Sequence, residues 1–305
     1  MFTNRTVYLD GTYVAWDKAT VHIMSHSIGR GSAIFEVLSL HATERGPVIF
    51  RLQDHIARLF RSAELLDMEL PLPEGECINA VLGTVKRNTV HQGYIKIICY
   101  YPQISFEILP PQKQLAMAVF IIDPEEDLPH QGHLTGGESS LCISTWAKLD
   151  GRTVPVGAKV AANYLNGMMA RQEAVQRGFD FSIMLDTEGF IAEGGTESIF
   201  LVSNGTIMTP ALGTVLDSIT RKSILEASAV HGIAREEGRI PPELLSTAEE
   251  IFLSGTPAKV LPVSRMEDRI VDNTPGPVTR KISSIMEDIV TGRDGRFAHW
   301  LFPAS

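Results

Sequence analysis

The chain has 305 residues, 44% of them hydrophobic, with a formal net charge of −9 and a sequence pI near 5.5. That length and apolar content suffice to bury the core of one large domain or two modest ones, and the acidic balance gives no electrostatic reason to seek nucleic acid or an anionic membrane. Cys77, Cys99 and Cys142 are odd in number and form no C-x-x-C pair, which argues against a disulfide framework or zinc knuckle. Arg5, Asp10, Asp17 and Lys18 stand where a secretory signal needs an apolar run, and the longest apolar stretch, Leu115–Ile122, is too short for a bilayer. The expectation is a cytoplasmic protein with reduced thiols that acts on small molecules.

In chain order, Val7–Leu9 and Thr12–Val14 flank Asp10-Gly11, a two-residue hairpin signal. Pro47–Arg51 reads as a strand. Asp54 is placed to cap a helix running to about Leu66, with Ile56, Leu59, Phe60 and Ala63 on one face. A second helix is predicted over Glu76–Asn88, and buried strands over Tyr94–Tyr101 and Leu115–Asp123. Asp123–Glu138, rich in Pro, Gly and acids, reads as a loop between a smaller N-terminal domain (1–123) and a larger C-terminal one (139–305).

Beyond it, Leu141–Thr145 is a predicted strand and Val160–Gly178 a helix, with Tyr164, Met168 and Val175 at helical spacing and Gly178 as the stop. Phe181–Thr209 reads as a β-meander with turns at Asp186–Gly189 and Asn204-Gly205. Asp217 or Ser218 can cap a helix ending at Gly232, Glu250–Leu253 is a strand, and Pro277–Thr291 is a last helix. βαβ alternation is missing, so the fold class expected is α/β (α+β) with mostly antiparallel sheets rather than a doubly wound parallel one.

No phosphate-binding G-x-x-x-x-G-K-[ST] loop, G-x-S-x-G elbow or G-x-G-x-x-G turn is present. His22 and His26 are four apart, but no carboxylate ligand accompanies them, and no metal is expected. Three features converge instead. Lys159 sits among small and apolar residues at the start of the predicted helix, where burial and the positive helix end favour a neutral, nucleophilic amine. Glu193 ends an apolar strand before Gly194-Gly195, a place from which a carboxylate can hold a pyridine nitrogen protonated. Ser218-Ile219-Thr220 opens a helix whose unpaired N–H groups suit an anion, with Arg58 and Thr256 able to add to the same phosphate site. Taken singly, each is also what an ordinary surface lysine, a hairpin turn acid and a plain helix cap look like.

Taken together, the segments resemble the class IV, fold type IV family of pyridoxal-phosphate (PLP) enzymes, and most closely the branched-chain aminotransferases. The matching stretches are Val21–His26 with Phe35-Glu36, and Pro47–Arg51 with His55 and Arg58. Ala158-Lys159 with Asn163-Tyr164-Leu165, Glu193-Gly194 with Glu197, and Ile219-Thr220-Arg221 follow in order. Ser254-Gly255-Thr256 and Gly276–Thr279 complete the series. The resemblance implies a two-domain homodimer or higher oligomer, in which residues of one subunit complete the neighbour's site. It implies that PLP is carried on Lys159, which also moves the proton of the substrate α-carbon. Glu193 would pair with the ring nitrogen and Tyr164 with the ring oxygen. Arg58, Ser218, Ile219, Thr220 and Thr256 would hold the phosphate. Phe35, Tyr94, Lys96, Arg30, Pro257 and Ala258 would line the substrate pocket.

The implied reaction is transamination between a branched-chain L-amino acid and 2-oxoglutarate. A D-amino-acid aminotransferase and an aminodeoxychorismate-lyase-like enzyme are alternatives on the same scaffold. This sequence departs from the branched-chain pattern at Arg30 (usually Tyr), Val37 (Gly), Ser39 and Lys96 (Arg), Ser198 (Asn) and Pro257 (Ala). Lysine at 96 keeps the charge that would meet a distal carboxylate but loses the guanidinium fork.

Overall fold

The computed structural model describes residues 4–128 and 139–304, which fall into two compact units. One is drawn from Met1–His133, Ala158–Ala162 and Ile289–Ser305, the other from Leu134–Gly157 and Asn163–Asp288. The division is thus not one cut near residue 123. The chain returns to the first unit at 158–162, where Val160 bridges to Ile34, and again at its end, where Leu301–Pro303 pairs antiparallel with Gly46–Phe50. Of the stretch expected to join the domains, Pro124–Asp127 forms one helical turn capped by Asp123, and 129–138 lie outside the described residues.

The first unit is a seven-stranded antiparallel sheet in the order Leu301–Pro303, Gly46–Phe50, Ala33–Thr43, Gly93–Tyr100, Ala116–Ile122, Thr6–Leu9, Thr12–Ala15. The hairpin turn Asp10-Gly11 has positive φ at both residues (44° and 92°), the conformation that matches the twist of the strands it joins. The 11-residue strand Ala33–Thr43 was not predicted. It follows an unpredicted one-turn helix, His26–Arg30, that ends at left-handed Gly31.

Strand alternation sorts side chains between the faces of this sheet. Ile34, Leu38, Ile95, Ile97 and Cys99 are fully buried in a core with Leu52, Ile56, Leu59 and Ala63 of the helix Leu52–Leu65 and Cys77, Val81 and Val85 of Glu74–Asn88. Phe35, Val37 and Ser39 pair with Ile98, Lys96 and Tyr94 and share the other face. The cap expected from Asp54 is not formed. Arg51, in a left-handed conformation, precedes the helix, and Asp54 in the first turn accepts hydrogen bonds from its guanidinium (2.8 and 3.2 Å).

The second unit is a mixed sheet in the order Arg235–Gly238, Thr206–Pro210, Ser198–Ser203, Glu250–Ser254, Leu261–Met266, Ser139–Ile143, Phe181–Leu185, Ile191–Gly194, with Arg269–Ile270 added beside Leu261–Met266. Most pairings are antiparallel, as expected; three are parallel. The predicted meander is two hairpins set apart in the sheet. Ser198–Ser203 pairs with Glu250–Ser254 rather than with Ile191–Gly194, because backbone pairing over long separations is invisible to local turn signals.

The helix Tyr164–Gln176 packs on Phe181–Leu185 by its small residues. Gly167, Ala170 and Ala174 are buried, whereas Met168 and Val175 are exposed. Gly167 and Gly195 touch backbone to backbone, so that a methyl on Gly167 would collide with the Gly195 carbonyl. All three cysteines are buried thiols, and no helix of the described residues is long and apolar enough to cross a membrane.

Candidate active site

In the first unit, Lys159 does not begin a helix. It lies outside any helix, within a tight turn closed by the Val160 N–H on the Ala158 carbonyl (3.1 Å) and two residues before a single 3-10 turn, Ala161–Asn163, and the α-helix starts only at Tyr164. The field of a helix N-terminus therefore does not act on it as expected. What fixes it is pairing. Gly46–Phe50 covers only Leu40–Thr43 of the long strand, leaving the edge at Ile34 and Phe35 for residues 158–160. The Lys159 N–H donates to Ser62 Oγ (3.0 Å), and its carbonyl accepts from the Phe35 N–H (3.1 Å). Its ammonium sits 4.8 Å from the centre of the Phe35 ring, and that of Lys96 sits 5.1 Å from the same ring. The Lys96 pKa is lowered by burial first and by the Lys159 charge second.

Beneath this face, Glu36 is buried and takes both prongs of Arg58 (Nε to Oε1 and Nη2 to Oε2, each 2.7 Å) as well as His55 Nδ1 (2.7 Å). Burial opposes its ionisation, but Arg58 and His55 outweigh this and hold the carboxyl at about 2. Burial lowers the His55 pKa, with Arg58 and Lys159 adding to the effect and Glu36 opposing it. Arg58 thus engages Glu36 through Nε and Nη2.

Tyr94 is half-buried, and burial raises its pKa. Arg30 is exposed, with its guanidinium donating to the carbonyls of Phe106 (2.9 Å) and Gly29 (3.2 Å). His26 and His22 serve the same loop. The His26 ring bonds Ser32 Oγ (2.8 Å) and the Ile108 carbonyl (3.1 Å), and His22 Nδ1 accepts from the Met24 N–H.

In the second unit, Glu193 is buried at the end of its strand. Its Oε1 lies 2.7 Å from Lys148 Nζ, and its two oxygens accept a shared, longer bond from the Leu216 N–H (3.4 and 3.3 Å). Leu216 leads into the helix Ile219–Val230, which Ser218 caps by accepting from the Arg221 N–H (3.3 Å). The N–H groups of Ile219 and Thr220 meet no acceptor among the described residues. The turn after Glu250–Ser254 is closed by the Gly255 N–H on the Ala258 carbonyl (2.9 Å) and by Lys259 Nζ on the Thr256 carbonyl (2.6 Å). Burial pushes the Lys259 ammonium down to about 7, with Glu287 opposing. Pro257 is exposed and Ala258 half-buried. Tyr164 lines a cavity of about 560 Å³ with Gly167, Gly195, Thr196 and Glu197.

The structure therefore gathers Phe35, Lys96 and Lys159 on one ring, and joins Glu193 to the Ser218–Thr220 helix start through Leu216. Lys148, Leu216, Ser62 and Lys259 were not singled out from the sequence. Lys148 stands in Trp146-Ala147-Lys148, with no local pattern to separate it from a surface lysine.

Residues 33–266 match the model of the amino-transferase class IV family. The chain belongs to this family of aminotransferases. Among its relatives, the branched-chain-amino-acid aminotransferase of Pseudomonas aeruginosa is 32% identical over 96% of this chain and 95% of its own length. The Escherichia coli enzyme of the same name is 29% identical over 97% and 96%. Among solved structures, the branched-chain aminotransferase of Thermoproteus uzoniensis with norvaline superposes with a TM-score of 0.93 at 32% identity, covering 99% of both chains. The PLP-form of the Thermobaculum terrenum branched-chain amino acid aminotransferase gives 0.91 at 27%, covering 100% of both.

Proposed function

We propose that this chain is a PLP-dependent aminotransferase that moves the amino group of a branched-chain L-amino acid to 2-oxoglutarate, with Lys159 carrying the cofactor. The observation that carries the reading is Lys159 itself. Its backbone is pinned on both sides, and its amine is held over Phe35 beside the amine of Lys96.

The donor set fits PLP. The Ile219 and Thr220 N–H groups and the buried Ser254 hydroxyl, which has no hydrogen-bond partner among the described residues, offer donors for a phosphate. Glu193 supplies an anion for a pyridinium nitrogen. When bound, PLP supplies an electron sink for charge developing at the substrate α-carbon.

The chain's own residues do the rest. Lys159 binds the cofactor and moves the proton at the substrate α-carbon. Glu193 holds the ring nitrogen protonated, and Tyr164 donates to the ring oxygen. Arg58, Ser218, Ile219, Thr220 and Thr256 hold the phosphate. Phe35 gives the substrate side chain an apolar wall. Tyr94, Pro257 and Ala258 line the remainder, and Lys96 meets the distal carboxylate of glutamate. Arg30, turned to the Phe106 carbonyl, lends no support to a D-specific reading.

The working form is a homodimer or higher oligomer in the cytoplasm, with amino acids and 2-oxo acids as its partners. The test is borohydride reduction of protein supplied with PLP, followed by peptide mass spectrometry. The adduct is expected on Lys159, and glutamate should form from leucine, isoleucine or valine with 2-oxoglutarate. A label on another lysine, or glutamate from D-alanine alone, overturns the reading.

A further inference from the structure

Lys148 and Glu193 are held by one strand. The Lys148 N–H donates to the Leu185 carbonyl (2.7 Å) at the end of Phe181–Leu185, and Ile191–Gly194 pairs antiparallel with that same strand. A register shift in this pairing, between Ile183 and Leu185, falls opposite the stretch that carries Glu193. Both side chains are nearly nine-tenths buried, 12% and 11% exposed, with their charges 2.7 Å apart. The Leu216 N–H reaches the same carboxylate, and the Leu216 carbonyl accepts from Ser218 N–H (2.8 Å), so the pair is tied to the capped helix start.

A carboxylate taken out of water is costly without a cation beside it, and Lys148 supplies one at 2.7 Å. The two oxygens are also unequal. Oε1 is the oxygen the ammonium approaches at 2.7 Å, whereas Oε2 accepts the longer bond from the Leu216 N–H at 3.3 Å. Oε2 therefore retains the greater capacity to accept a new hydrogen bond.

We propose that Lys148 is the positioning residue for Glu193, holding its Oε1 so that its Oε2 stays available to the ring nitrogen of PLP. The proposal rests on the reading of Glu193 as the ring-nitrogen partner. Lys148 itself touches no reacting atom.

The test uses the full chain loaded with PLP, with Lys148→Met, Lys148→Arg, Glu193→Gln and the Lys148→Met/Glu193→Gln double variant. The readouts are the pH midpoint of the visible absorbance of the bound cofactor and the apparent Kd for PLP. A positive ring nitrogen disfavours a proton on the nitrogen that joins Lys159 to the cofactor, so weakening Glu193 raises the midpoint. Lys148→Met is expected to raise it by about one pH unit and to weaken PLP binding roughly tenfold. Lys148→Arg should restore both. In the Glu193→Gln background, Lys148→Met should add nothing further, because it acts through that carboxylate. A Lys148→Met protein that matches the wild type, or an undiminished shift in the Glu193→Gln background, overturns the proposal. Should the methionine variant not fold, Lys148→Gln takes its place in the same series. If Glu193→Gln alone leaves the spectrum unchanged, the parent reading of Glu193 fails, and that outcome is distinct from failure of Lys148 alone.

Discussion

Glu36 shows how much a single buried charge can carry where no local sequence rule marks its partners. It stands in a strand between Phe35 and Val37, and only the alternation of that strand, itself unpredicted, sends it to the face where Arg58 and His55 wait. Removing its charge leaves the Arg58 guanidinium buried without its counter-ion, so Glu36→Gln is expected to lower unfolding stability by about 3 kcal/mol, measured by denaturant titration. The pH dependence follows from the shifts. The Glu36 carboxyl lies at about 2 in the folded chain against an ordinary 4.5, so its stabilisation is complete above the ordinary value and is lost as pH falls through about 2. His55 has the same sign. Its folded pKa is depressed below 6.5, so acidification favours the unfolded chain, which takes up the proton first. In Glu36→Gln the part of the acid loss between pH 4.5 and 2 that belongs to Glu36 should vanish. An unchanged acid limb would show that the ion pair contributes nothing there.

Helices were legible where a local rule decides them, and less so where packing does. Ser218 is a cap by residue type and by geometry, and Gly232, with a φ of 68°, follows the helix end as expected. Arg51 before Leu52–Leu65 could not be foreseen, since its left-handed conformation is held by tertiary contacts: its N–H donates to the Trp300 carbonyl (2.7 Å) and its guanidinium lies 4.4 Å from the Trp300 ring centre. In the helix after Lys159, Met168 and Val175 mark the helical spacing in the sequence yet are exposed. The Gly167–Gly195 approach instead demands small residues at the contact. For the helix Ile219–Val230, Ser218→Ala should cost about 1 kcal/mol of stability. The same change should weaken PLP binding, because the cap fixes the first turn that presents the Ile219 and Thr220 N–H groups. Thermal melts with and without PLP separate the two effects. A destabilised variant with unchanged PLP affinity would place the phosphate elsewhere.

At the scale of the whole molecule, the two sheets were expected as a pair of α/β layers, but the return of residues 158–162 and the C-terminal strand to the first unit was not, because such pairings join segments over a hundred residues apart. The surface of the first unit carries a further signal. Val21, Ile23, Met24 and Ile28 lie on one loop and short helix, and Ile104, Phe106, Ile108 and Leu109 on another, all exposed, with Ile23 at 79% and Phe106 at 83%. The two segments are tied together by the Ser25–Ile104 bridge, by Ser105 N–H on the Met24 carbonyl (3.3 Å) and by His26 on the Gln103 and Ile108 carbonyls. Under the homodimer proposed above, these exposed apolar side chains are what the second copy would cover. Phe106→Asp is therefore expected to weaken self-association by roughly tenfold or more, the effect of losing one large buried apolar side chain. Sedimentation velocity across a dilution series should then find monomer at concentrations where the parent protein is dimeric, with transaminase activity falling in step. A parent protein that sediments as monomer while fully active would show that this surface has another use.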